Sequence, residues 1–453
     1  MSSENKERVN QLIQQAAAHL QAGQIEYARS AAEQIIQANP NHPGASHLLG
    51  IIAAQQGQYQ AAANLIKHAL EASPDYADAR VSLGNVYRAM NHPADAIPEY
   101  KDAIRLNSRN PMAHYNLGNV LRDLGRNEEA LAAYDAANQL NFPAADIHYN
   151  RVAALRDLGR QKEALDVCKM ILDKFPPSAE AYTNLAIILG DLGISGEALA
   201  ACDQAIQISP SSGIAHYTRG NILRDSGHPD DALESYMQAT SINPRYIEAR
   251  INHDNLLNKL GRTDEALQAS KQTIITNPGS AEAQYNYGNL LRDSGQLEAA
   301  LSAYNKAIAC SPGYAAAHGN RGQILADLWR LPEAISACKE TIRLEPDSAE
   351  AYCNLANAQM DLCEMDEAEK NYRHALKLKP DYAAAHSNLL FLLAAKGQQA
   401  PDEMLAEQRY WDNIHGDAAR CNPLPIVQAR PLASRRPRIG YVSPDLRKHA
   451  VSY

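Results

Sequence analysis

The chain has 453 residues, of which 45 % are hydrophobic and only 6 % aromatic, nearly all of these tyrosine, and it carries a formal net charge of −9. That acidic balance, with no basic stripe, argues against nucleic acid as a partner, because proteins that grip phosphate backbones gather Lys and Arg on one face. The polar opening MSSENKERVNQLIQQ lacks the apolar core of a signal peptide, and no window nears the roughly 18 apolar residues of a membrane span, so a cytoplasmic protein with no membrane partner is expected.

Residues 1–8 read as a polar tail. From Val9 to Tyr382 the sequence repeats every 34 residues: Ala stands at 28, 62, 96, 130, 164, 198, 232, 266, 300, 334 and 368 without an insertion. Gly recurs at 23, 57, 125, 159, 193, 227, 261, 295 and 397, where a residue free to turn left-handed would close one helix before an antiparallel partner. Trp329 and Cys363 occupy that position in their repeats, so the turns there are expected to differ. Pro closes most repeats, failing at Ser108 and Phe142, with Pro143 one place late. Leu117 and Leu121, like Leu185 and Leu189, lie four apart on one face, as in an amphipathic helix. The pattern predicts eleven helix-turn-helix units over 9–382 and a capping helix over 383–397. A proline-marked linker over 398–435, with a short helix at 403–416, follows. Residues 436–453 change character: Ile439 to Val442 read as a strand and Ser443-Pro444-Asp445 as a tight turn.

Of the seven cysteines, Cys168, Cys202 and Cys338 fall at the repeat position that elsewhere holds Tyr100, Tyr134, Tyr236, Tyr304 and Tyr372. They read as small apolar fillers of a buried slot. No Cys-x-x-Cys or comparable clustering is present, so no metal site is expected.

The sixth position of each unit carries Asn116, Asn150, Asn184, Asn252, Asn286, Asn320, Asn354 and Asn388, interrupted by Thr218. Asn119, Asn221, Asn289 and Asn357 follow three residues on, and Asp123, Asp225, Asp293 and Asp361 four beyond those, so all share one helix face. A solvated face would accept Glu, Lys or Gln, which are better helix formers; repeated Asn points to a chemical need. An amide can pair with both the C=O and the N–H of an extended peptide, whatever its side chains. The asparagine row, with Asp225, Asp293 and Asp361 biasing side-chain choice, is therefore the candidate peptide-binding site.

A 34-residue unit of this kind resembles the tetratricopeptide repeat, which implies an all-α right-handed superhelix, an α-α solenoid, with a concave groove for extended segments of other proteins. The asparagine row, AYCNLANAQ at 351–359 and RHALKLKPDYAAAHSNL at 373–389 resemble the protein O-GlcNAc transferases. Arg438, Gly440, Tyr441, Val442, Ser443, Asp445 and His449 match the opening of that family's catalytic region, and SPDLRKHAVSY resembles its SPINDLY-like branch. The resemblance implies that 436–453 begin an α/β GT-B type glycosyltransferase domain and that the chain is an inactive fragment of a larger enzyme. It also implies transfer of a sugar to Ser or Thr of acceptor proteins from UDP-GlcNAc as donor substrate, or from GDP-fucose as in the SPINDLY-like members, with His449 as proton acceptor or as donor-orienting group. No resident cofactor is implied, and a homo-oligomer is left open. The alternative expectation is a non-enzymatic tetratricopeptide scaffold.

Overall fold

The computed structural model describes residues 3–140, 145–397 and 401–415. Phe142, Pro143, most of the linker and the whole of 436–453, including His449, lie outside the described residues. Among the described residues there are twenty-four helices, from Ser3–Gln21 to Pro401–His415, and no strand. The first helix takes in residues assigned above to the tail; nothing in SENKER breaks a helix, since it holds neither Gly nor Pro. No helix among the described residues is long and apolar enough to cross a membrane.

The chain forms two compact blocks, Met1–Pro278 and Gly279–Tyr453, each an α-α solenoid of helix pairs. In one complete repeat, the first helix Pro111–Asp123 packs antiparallel on the second, Asn127–Gln139. The reason for the Ala period is plain: all eleven of those alanines are fully buried, in slots where a larger residue would force the helices apart. At the turn, Gly125 adopts φ 72°, its N–H bonds to Arg122 O at 2.8 Å, and Arg126 N bonds to Leu121 O at 2.8 Å. This is the paired closure that a left-handed residue makes at a helix end.

The expectation of altered turns at Trp329 and Cys363 is corrected. Both take the same conformation, φ 56° and 64°, with the same two bonds (Trp329 N to Ala326 O and Cys363 N to Met360 O, each 2.9 Å), as does Asn91 at φ 61°. Packing of the flanking helices outweighs the cost of a Cβ there. At the repeat boundaries Ser178, Ser212, Ser280 and Ser348 cap the next first helix, as with Ser280 Oγ accepting from Ala283 N at 3.0 Å.

First helices approach the first helices of neighbouring repeats more closely than second helices approach one another, so first helices form the inner side of each block. The last repeat is covered by Ala383–Lys396, and Pro401–His415 packs on that helix in turn, with Trp411 Nε1 donating to Ser387 Oγ at 3.2 Å.

Candidate functional site: the asparagine face

The eight asparagines are half-buried on first helices. In five junctions between repeats the amide joins a three-residue clamp. Tyr304 OH donates to Asn289 Oδ1 at 2.9 Å, and the same oxygen accepts from Asn320 Nδ2 of the next repeat at 2.8 Å. Asn320 Nδ2 also reaches Tyr285 OH at 3.1 Å. The motif recurs as Tyr100, Asn85 and Asn116; Tyr134, Asn119 and Asn150; Tyr236, Asn221 and Asn252; and Tyr372, Asn357 and Asn388. Each tyrosine ring is fully buried, and burial pushes the Tyr236 and Tyr304 hydroxyls up to about 12, so they stay neutral donors. Gly84, Gly118, Gly220 and Gly288 make room for four of the rings: a Cβ on Gly288 would stand 2.6 Å from Tyr304 Cε1.

The clamp fails wherever the tyrosine is replaced. Cys168 pairs with Ala153, Cys202 with Ile187 and Cys338 with Gln323; burial pushes all three thiols up to about 12, which keeps them protonated fillers. Asn184 and Asn354, which follow two of these gaps, make no side-chain hydrogen bond to the described residues, and Asn286 Nδ2 bonds only to Glu282 O of its own helix at 3.0 Å. The expectation that every asparagine offers both donor and acceptor to a guest therefore needs amending. Asn150, Asn252 and Asn320 have both N–H groups engaged inside the protein. Asn150 Oδ1 is taken as well, by Arg122 at 2.8 Å.

The aspartates below the row are exposed but mostly paired. Asp123 meets Arg88 at 2.9 Å, Asp225 meets Arg224 at 2.8 Å and Asp293 meets Arg292 at 2.9 Å. Asp361 follows Met360 where other repeats carry Arg, and has no ion-pair partner among the described residues. The row is less negative than its carboxylates alone suggest.

Sequence models described as tetratricopeptide repeat match residues 53–97, 81–141, 179–212, 213–246, 255–315 and 349–382, together more than half the chain. The chain belongs to the tetratricopeptide repeat family. Three of those matches share the boundaries of the 34-residue register read above. Among solved structures, yeast Tom70 is 18 % identical and covers 89 % of this chain and 99 % of its own at a TM-score of 0.47. The Cut9–Hcn1 hetero-tetramer of APC/C is 14 % identical, covering 85 % and 96 % at 0.43. YrrB, described as a TPR protein with an unusual peptide-binding site, is 24 % identical, covering 41 % and 96 % at 0.35. No curated protein sequence matches.

In this tetratricopeptide array the clamp went unread at the sequence level, although a signal exists: every Tyr of the slot is preceded by Asn fifteen residues earlier, and no Cys of the slot is. A second unread feature of the tetratricopeptide face is a cavity of about 470 Å3 inside the first block. Ile187, Gly190, Ile214 and Thr218 are among its lining residues.

Proposed function

We propose that each block binds extended stretches of partner polypeptide along its inner face, as a protein-interaction array. The observation that carries this reading is the state of the amides. Among the described residues no hydrogen bond reaches the carbonyl oxygens of Asn116, Asn252, Asn320 and Asn388, and none engages the amides of Asn184 and Asn354. Oxygens in such a row accept backbone N–H groups. Helix layers spaced about 8–10 Å apart would meet an extended chain, rising about 3.3–3.6 Å per residue, at roughly every third residue. A guest held through its backbone is held with little regard to its sequence.

The test separates binding from support. Asn184→Ala with Asn354→Ala removes one unengaged amide from each block and should weaken binding of an unstructured peptide to each by about two- to tenfold, from about 0.5–1.5 kcal/mol per lost bond, with the urea transition unmoved. Asn320→Ala should instead move the urea transition. Unchanged peptide affinity in the double variant would leave the row with a purely structural role.

A second reading is favoured by the match at 438–449. On it, the array presents acceptor proteins to a protein Ser/Thr O-glycosyltransferase that uses UDP-GlcNAc or another nucleotide sugar, and His449 accepts the hydroxyl proton or orients the donor. The supporting observation is the sequence motif formed by Arg438, Gly440, Tyr441, Val442, Ser443, Asp445 and His449 alone. In the full-length gene product, His449→Ala should lower sugar transfer by roughly 10²–10⁴ if the imidazole moves the proton. A loss confined to low donor concentration assigns it the orienting role, and wild-type rates throughout would remove it from the site.

A further inference from the structure

The inner face of the first block changes character between the helices Asp146–Asp157 and Gly213–Asp225. Four register positions depart there at once. Ile187 stands where Asn85, Asn119, Asn221, Asn289 and Asn357 accept the clamp, and Thr218 stands in the asparagine row. Ile214 occupies a position that is acidic at Asp78, Asp146, Glu180, Glu248, Glu282 and Glu350. Gly190 replaces the Arg of positions 88, 122, 156, 224 and 292. All four border the same cavity of about 470 Å3, together with Ile222 and Tyr217. Three of the four remove a polar or charged side chain, two by installing a branched aliphatic one, and Thr218 exchanges the amide for a hydroxyl.

Packing alone does not account for this. Ile214 is 54 % exposed, so its apolar surface is not used by the fold. The Gly190 backbone runs close over Ile222, since a Cβ there would meet Ile222 Cγ1 at 3.2 Å, and both line the cavity. One helical turn before Ile187 lies Asn184, whose amide makes no hydrogen bond among the described residues. An unengaged amide thus sits beside a depression of mixed lining, to which Ile187, Ile214 and Ile222 contribute the aliphatic surface. The rim bears Asp191 and Asp225, each beside an arginine: Arg156 stands 3.8 Å from Asp191 and Arg224 2.8 Å from Asp225.

We propose that this cavity is a side-chain subsite of the groove, taking one branched aliphatic residue of an extended segment of a partner protein. The inference rests on the peptide-binding reading above and adds sequence preference to it. Where the clamped junctions hold a guest through its backbone, this unclamped one reads a side chain and fixes the register of the bound segment.

The experiment compares two synthetic unstructured peptides of Gly, Ser, Thr and Lys, identical except for a central Leu or Ala, titrated against the full chain by fluorescence anisotropy. The Leu peptide should bind about tenfold more tightly, as expected for burying most of one aliphatic side chain. Ile214→Glu installs the residue that other repeats carry at this exposed place, so it should fold normally. Ile214→Glu and Ile187→Asn should each reduce the ratio of Leu-peptide to Ala-peptide affinity to near unity. Equal binding of the two peptides by the unaltered chain would overturn the subsite and leave the groove reading standing. No binding of either peptide would overturn both. A preference that survives in both variants would place the aliphatic contact elsewhere and refute this assignment.

Discussion

An asparagine in a repeat array can face a guest or a neighbour, and its hydrogen-bond partners decide which. Asn320 faces a neighbour through both N–H groups, whereas Asn354, one repeat later, faces none, because Gln323 and Cys338 replace the acceptor and the tyrosine. The residue scale also holds a pH response. His47 is buried, with Nε2 2.8 Å from Ser82 Oγ and Nδ1 3.0 Å from Tyr76 OH. Burial holds its imidazole down to about 4, against partial opposition from Asp78. The unfolded chain takes up the proton near 6.5 and the folded one only near 4, so stability is full above pH 6.5 and lost as pH falls from there toward 4. At about 1.4 kcal/mol per pKa unit, the first repeats should lose roughly 2 kcal/mol between pH 6.5 and 5 from this group. Hydrogen exchange of residues 43–76 at the two pH values would show the loss, and His47→Gln should abolish that part of it.

At the scale of the helix pair, the fit between first and second helix depends on a small residue facing a ring. Gly288→Ala places a methyl 2.6 Å from the Tyr304 ring and should cost about 1 kcal/mol, at the low end of overpacking. The low end is expected because Tyr372 is accommodated beside Ala356 in the last repeat. Adding Tyr304→Cys, which reproduces the Ala186 and Cys202 pairing, should make the double variant more stable than the sum of the two single losses. Urea titrations of the four proteins check this, and strict additivity would refute steric coupling. This is also the scale at which the sequence was most legible. The Ala and Gly periods reflect helix contact and turn closure, which are local and repeat identically, so helix order and register followed from them. The left-handed Trp329 and Cys363 were misjudged because a residue's own preference was weighed without the packing of two helices that overrides it. The clamp was invisible for a related reason: it links three residues at separations of fifteen and thirty-one, beyond any single-helix pattern. The motif around His449 could be read but lies outside the described residues.

Over the whole molecule, stability in an array of this kind is a sum of repeat and nearest-neighbour terms. The junctions are unequal here, since five carry a clamp and those following Cys168, Cys202 and Cys338 do not. Unfolding should therefore not be a single two-state transition. Amide exchange should be slowest across 85–134 and 289–320 and faster around 160–200, within the same block as the first of these. Uniform protection along the chain would show that the clamps add nothing measurable.

The clamp has an orientation, because an acceptor and a tyrosine in one repeat wait for an amide from the next. Loss of 145–178 by unequal recombination would bring Asn184 opposite Asn119 and Tyr134, a junction chemically like the one removed. Loss of 145–212 would bring Thr218 there instead and leave the Asn119 oxygen without its donor from the following repeat. Repeats of equal length are thus not interchangeable parts. Their order obeys a rule of adjacency, and a lineage of such proteins could gain or shed units cheaply only at the seams where that rule is kept.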